Sequence, residues 1–278
     1  MTVNSYLTNL ASNAIIRDAE KKSIATSIAT IGTRLNAHFP GELSEHFIFG
    51  SYKRGTILPR HMDERSDIDY MVVFREGGFR PQTYMDRLRR FVNRYYGSSE
   101  ISQSNPTIVL SLNHIKFELV PAINQFWYGL RIPARASEMQ DWIETDPTDF
   151  NQTLVDANRS NNNLIKPLVR LMKYWNAQNG YVYASYDLEK SVAGRTYWGL
   201  GGMFTPAVLE DYFYDYVDSM SVGWGESQNK RDRVTRLKDT VREAKLYHEL
   251  GHEESAEAKI RRVLPPVSAL SLGLRELA

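Results

Sequence analysis

The sequence predicts an α+β fold, a mixed β-sheet carrying helices followed by a wholly helical half. Three observations predict it. β-rich runs and helical periodicities alternate up to about residue 133, and only helical patterns follow. The chain is long enough, at 278 residues with 42% hydrophobic and 24% charged, to bury a substantial core. Its 34 basic and 33 acidic residues leave a net charge of +1, which excludes a polybasic protein gripping nucleic acid with its whole surface. A boundary is expected near residue 135, with an α+β domain over 1–135 and a helical domain over 136–278. A cleft between the two is the expected ligand site. There is no cysteine, so disulfides, Cys-based zinc sites and thiol catalysis are excluded. No apolar run approaches the ~18 residues that span a bilayer. The opening MTVNSYLTNLASN lacks the basic-then-apolar layout of a signal peptide, so a cytoplasmic location is expected.

The elements follow in order. Ile24, Ile28, Ile31 and Leu35 recur on one face and predict a long N-terminal helix over 17–38, stopped by Pro40-Gly41. His46 to Phe49 predicts a short strand, and Gly50-Ser51 a turn. A polar, charged loop is expected to run to Ser66. Residues 68–74, IDYMVVF, predict a strand ended by Gly77-Gly78. Leu88, Phe91, Val92 and Tyr95 predict an amphipathic helix over 82–96. Thr107 to Leu112 and Ile115 to Val120 predict two strands, joined by a two-residue turn at Asn113-His114. Helices are then expected over 148–158, 162–178, 184–198, 206–220, 229–250 and 254–263. Pro265-Pro266 ends the last, leaving a loosely held tail.

Three pieces carry candidate chemistry. Gly50-Ser51 follows a strand directly, with Thr56 five residues past Ser51. Such a turn directs backbone N–H groups and a hydroxyl at an anion. Asp67 and Asp69 open the IDYMVVF strand and project to one side of it. Adjacent carboxylates repel unless a divalent cation sits between them, and oxygen donors suit Mg²⁺. Glu118 lies in an otherwise apolar strand, where a carboxylate needs a partner. It completes a three-carboxylate cluster if its strand lies beside 68–74, and otherwise pairs with Lys116 or an arginine.

FGSYKRGT, SDIDYMVVF and FELVPA together resemble the polymerase-β-like nucleotidyltransferase superfamily. Fifteen residues separate Ser51 from Asp67. LIKPLVRLMKYWN at 164–176, ASYDLE at 184–189 and EAKIRRVLPP at 257–266 narrow the likeness. They resemble the SMODS-type CD-NTases of CBASS antiphage systems, similar in fold to cyclic GMP-AMP synthase. The resemblance implies two Mg²⁺ ions, with Mn²⁺ as a substitute, on Asp67, Asp69 and Glu118. It implies nucleoside triphosphate substrates, pyrophosphate release and a cyclic or short linear oligonucleotide second messenger read by a separate effector. It assigns Lys173 and Ser185 to the triphosphate, with Gly50 and Ser51, and Tyr186 to the base or phosphates. Glu189 is expected to brace helices. Glu stands at position 118 where the family more often has Asp. A monomer is expected, with no membrane and no requirement for nucleic acid.

Other features compete. A nucleotidyltransferase acting on an RNA or protein acceptor is the alternative. Its basic track is sought at Arg87, Arg89, Arg90 and Arg94, and at Lys230, Arg231, Arg233 and Arg236, where solvated helix faces are the simpler explanation. Lys53 and Arg54 flank the Gly-Ser turn, and Asn158 and Asn161 to Asn163 are candidate base readers. His248-Glu249-Leu250-Gly251-His252 matches HExxH, a zinc-protease pattern. No third histidine follows it, and Gly251 reads as a helix end.

Overall fold

The computed structural model describes residues 1–104, 106–125, 129–134, 141–201 and 206–267. They divide into two compact units. One comprises Ile16–Ile57 and Arg65–Asp149; the other comprises Met1–Ile15, Leu58–Glu64 and the chain from Phe150. This partition differs from a single cut near residue 135. The first helix, α1 (Val3–Asn13), buries Val3, Tyr6, Leu7, Leu10 and Ala11 in the helical core. Their spacing is that of one helix face.

The sheet unit contains α2 (Asp18–His38), β1 (Leu43–Ile48), a single turn α3 (Gly50–Arg54), β2 (Asp67–Phe74) and α4 (Pro81–Tyr96). Then come β3 (Glu100–Ser104), β4 (Thr107–Ser111), β5 (Lys116–Gln125), β6 (Gly129–Pro133) and β7 (Trp142–Glu144). The strands form one mixed sheet in the order β1-β2-β5-β4-β3, with β6 on β5 and β7 on β6. β2 and β5 are parallel and the other pairs antiparallel. The expected Asn113-His114 turn joins β4 to β5, closed by the Leu112 N–H donating to the Ile115 carbonyl at 2.9 Å. β3, β6 and β7 were not predicted. They are only three to five residues long and become strands through the neighbours they pair with.

Strand alternation splits the sheet's two faces. Ile68, Tyr70, Val72 and Phe74 of β2 join Phe117, Leu119 and Ile123 of β5 in one core. Ile24, Ile31 and Leu35 of α2 and Leu88, Phe91 and Val92 of α4 cover that face. Tyr96 is buried there, while Tyr95 is only partly buried. The opposite face carries a small apolar patch of Met71, Val73, Val120 and Ala122. Asp67, Asp69 and Glu118 share its strand parity.

The helical unit adds α5 (Asp149–Ser160), α6 (Ile165–Gln178), α7 (Ser185–Gly194), α8 (Leu209–Ser219), α9 (Gln228–Glu249) and α10 (Glu253–Val263). α7 stops four residues short of the expected end. Arg195 turns extended and its guanidinium holds Asp215 through two hydrogen bonds of 2.6 and 3.0 Å. α8 begins at Leu209, where the Asp211 carboxylate accepts the Val208 N–H at 2.8 Å. Residues 268–278 of the expected tail lie outside the described residues. No described helix is long and apolar enough to cross a membrane.

Candidate active site

The β2·β5 register builds the site. Asp69 stands opposite Glu118 and Asp67 opposite Lys116 on neighbouring parallel strands. In-register neighbours share a face, and residues two apart on a strand share it too. The two strands are therefore adjacent, the condition set by the sequence, and the three carboxylates share the face opposite α2 and α4. Each is half-buried, and Asp69 and Glu118 lie between buried apolar neighbours along their strands.

Their side chains are differently engaged. The Phe49 N–H donates to the Asp69 carbonyl at 3.0 Å, which extends the β1·β2 pairing and seats Gly50 on Asp69. Gly50 adopts φ +68°, and a Cβ there would lie 1.7 Å from Asp69 Oδ2. Only glycine allows this approach. The Ser51 carbonyl accepts the Thr56 and Ile57 N–H groups at 2.9 and 3.2 Å, so Thr56 braces the turn. Burial raises the Glu118 pKa, against the opposing influence of hydrogen bonds with Asp67 and Thr107 and of the Lys116 charge. Among the described residues no three His, Asp or Glu side chains are gathered as a ready metal cage. The donor set nonetheless fits a hard divalent cation in chemistry, being all oxygen, and in strand register.

The polar, charged loop after the turn is anchored by its few apolar residues. Ile57 joins the sheet core, while Leu58 and Met62 enter the helical core. Arg54 is buried and Lys53 exposed.

In the helical unit, Ser185 is the first residue of α7 and half-buried. Tyr186 is exposed; its ring meets Phe150 edge-on at 5.8 Å and carries Lys190 Nζ 4.6 Å from its centroid. Lys173 on α6 is buried, and its Nζ donates to Glu189 Oε1 of α7 at 3.0 Å. Glu189 does brace two helices. Asn158 and Asn163 are spent on a turn. The Asn158 amide donates to Asn163 Oδ1 at 3.0 Å, and Asn158 Oδ1 accepts the Lys166 N–H at 2.9 Å.

A family description, the Second Messenger Oligonucleotide or Dinucleotide Synthetase domain (SMODS), matches residues 1–158. The chain belongs to the SMODS family. A cyclic AMP-AMP-AMP synthase of an Acinetobacter species is 26% identical over 138 residues, 48% of this chain and 39% of that protein. The chain thus matches well under half of that relative's length. A probable cyclic nucleotide synthase of Bacillus cereus is 26% identical over 247 residues, 71% of this chain and 73% of its own. Escherichia coli CdnC, solved with ATP, superposes with a TM-score of 0.70 at 12% identity, covering 95% of this chain and 98% of its own. Bradyrhizobium diazoefficiens CdnG, solved with GTP, gives 0.67 at 11%, covering 94% and 98%. The α+β fold and the family read from the motifs are borne out.

In the SMODS chain the HExxH letters do not fall on one helix. α9 ends at Glu249, Gly251 takes φ +77°, and His252 caps α10, so the two histidines stand on different elements. His248 Nδ1 lies 2.8 Å from Glu253 Oε1. Replacing both histidines by Ala is expected to leave nucleotide turnover unchanged, and elemental analysis of the wild type to find no stoichiometric zinc. Part of each basic cluster is engaged within the fold. Arg87 pairs with Glu42, Lys230 with Glu226, and Arg231 and Arg233 donate to the Trp224 and Asn179 carbonyls.

Glu118 gives a pH prediction. Its folded pKa lies above the unfolded value, so its contribution to stability is full below the unfolded carboxylate range. That contribution is lost as pH rises through the folded pKa. The metal-free melting temperature should therefore fall over that interval, and Glu118→Gln should flatten the fall. A melting series from pH 4 to 8 on both proteins checks it; parallel curves would contradict the assigned environment.

Proposed function

We propose that this SMODS chain joins nucleoside triphosphates into a cyclic or short linear oligonucleotide second messenger. A ribose hydroxyl attacks an α-phosphorus, a new O–P bond forms, and pyrophosphate leaves. The observation that carries the reading is the β2·β5 register, which sets Asp69 beside Glu118 with Asp67 on the same face.

Asp67, Asp69 and Glu118 would hold the divalent metal, Mg²⁺ or Mn²⁺. When bound, it supplies Lewis acidity, lowering the pKa of the attacking hydroxyl and offsetting charge on the leaving pyrophosphate. Gly50 lets the turn close onto Asp69, and the Ser51 and Ser185 hydroxyls would donate to phosphate oxygens. Lys173 adds positive charge; one N–H goes to Glu189 and two remain to donate to phosphate. Tyr186 offers an aromatic face to a base. ATP and GTP, found in the solved relatives, are the first substrates to test. The product implies a separate effector that senses it, in antiphage signalling in the cytoplasm.

The test is pyrophosphate release from each nucleoside triphosphate, alone and mixed, with Mg²⁺ or Mn²⁺. Metal-dependent release is expected. No release from any mixture with either metal would sink the reading.

A further inference from the structure

We infer that Tyr181 is a positioning residue for nucleotidyl transfer, acting through Asp63 on the segment that leads into Asp67. The inference rests on the proposed function above. The chain leaves the sheet unit at Leu58 and returns to it at Arg65, two residues before Asp67. Within the excursion Leu58, Met62 and Asp63 are all buried. The Met62 and Asp63 N–H groups both donate to the Pro59 carbonyl, at 2.8 and 3.1 Å, so the segment is a closed turn. The Tyr181 hydroxyl donates to Asp63 Oδ1 at 2.5 Å.

Tyr181 lies in the turn between α6 and α7. It takes φ +57° directly after Gly180 at φ +68°, a backbone conformation that an aromatic residue rarely adopts. Such a conformation persists only where its surroundings over-determine it. Here the Tyr181 N–H donates to the Asn176 carbonyl at 2.8 Å. The buried Asn176 amide then clamps Tyr183, donating to its carbonyl at 2.9 Å and accepting its N–H at 3.0 Å. Arg233 holds the Asn179 carbonyl. Ser185 and Tyr186 follow four and five residues after Tyr181. A rigid, strained turn therefore presents one hydroxyl to one buried carboxylate. That bond fixes the turn four residues before Asp67. Transfer chemistry demands that metal-holding groups be kept in place to a fraction of an ångström.

The test uses the full chain with Tyr181→Phe, Asp63→Ala, the double variant and Asp63→Asn. Steady-state kinetics and hydrogen exchange of the 58–66 peptide are measured on each. Tyr181→Phe is expected to lower kcat about tenfold or more with KM changed less than about twofold. It should also speed exchange in 58–66. The double variant should be no slower than Asp63→Ala alone, since both remove one bond. Asp63→Asn keeps an acceptor and should lose less than Asp63→Ala. Wild-type kcat and exchange in Tyr181→Phe, or losses that multiply in the double variant, would overturn the inference. If Tyr181→Phe does not fold, the ranking of Asp63→Asn above Asp63→Ala decides. If the wild type turns over no nucleotide, the proposed function falls, and exchange in 58–66 alone judges the Tyr181–Asp63 link.

Discussion

Replacing Asp67 and Asp69 together by Asn is expected to reduce pyrophosphate release about a thousandfold or more while the fold survives. The substitution is nearly isosteric, so the half-buried positions at the start of β2 stay filled. It removes two negative charges from one sheet face, and with them the reason for a divalent cation to bind there. Stability should hold, because each Asn keeps the side-chain volume and a hydrogen-bonding amide in place of the carboxylate. The Asp69 carbonyl still accepts the Phe49 N–H at 3.0 Å, so the Gly50 turn keeps its anchor. Melting curves and pyrophosphate release measured on the same preparation separate the two effects. A double variant that folds and turns over at the wild-type rate would remove the carboxylates from the mechanism.

The second large effect is expected at Lys173. From the sequence alone, Lys173→Ala predicts a loss of about 1–3 kcal/mol in triphosphate binding, the range for a charge-assisted hydrogen bond. The structure adds a larger consequence. Lys173 and Glu189 pair at 3.0 Å with side chains 5% and 1% exposed. Removing the cation leaves the Glu189 carboxylate buried without that counter-charge, at an expected cost of about 3–5 kcal/mol in folding stability. Replacing both partners by apolar residues, Lys173→Met with Glu189→Leu, should recover most of that stability. It should not recover triphosphate affinity, because the positive charge is still missing. Denaturant melts and calorimetric titration on the two variants test both halves. A stable Lys173→Ala with unchanged triphosphate binding would contradict the account at this residue.

Much of this was legible in the sequence, for identifiable reasons. IDYMVVF and FELVPA are dense in β-branched and aromatic residues, so β2 and β5 declare themselves, and their carboxylates stand out against that background. The parallel pairing of the two strands was not written locally. It was posed only as a condition for Glu118, and the register of Asp69 with Glu118 answers it. β3, β6 and β7 escaped because EISQS, GLRIP and WIE acquire strand character only from the edges they pair with. The loop before Asp67 looked polar because Arg60, His61, Asp63, Glu64 and Arg65 dominate its composition. Its structure is set instead by Leu58 and Met62, which bury in a core formed by residues distant in sequence. The Lys173–Glu189 pair spans 16 residues and two helices, beyond any local pattern. HExxH shows the converse, a motif matched in letters and undone by one glycine turn between its histidines.

The central claim is that this SMODS chain condenses nucleoside triphosphates into an oligonucleotide. The direct measurement is incubation with each labelled nucleoside triphosphate and with mixtures, with Mg²⁺ or Mn²⁺, followed by phosphatase treatment and mass spectrometry. The account predicts phosphatase-resistant products with the masses of cyclic or short linear oligonucleotides, absent with the Asp67→Asn, Asp69→Asn protein. Only free nucleosides after phosphatase, under every combination of nucleotide and metal, would contradict it.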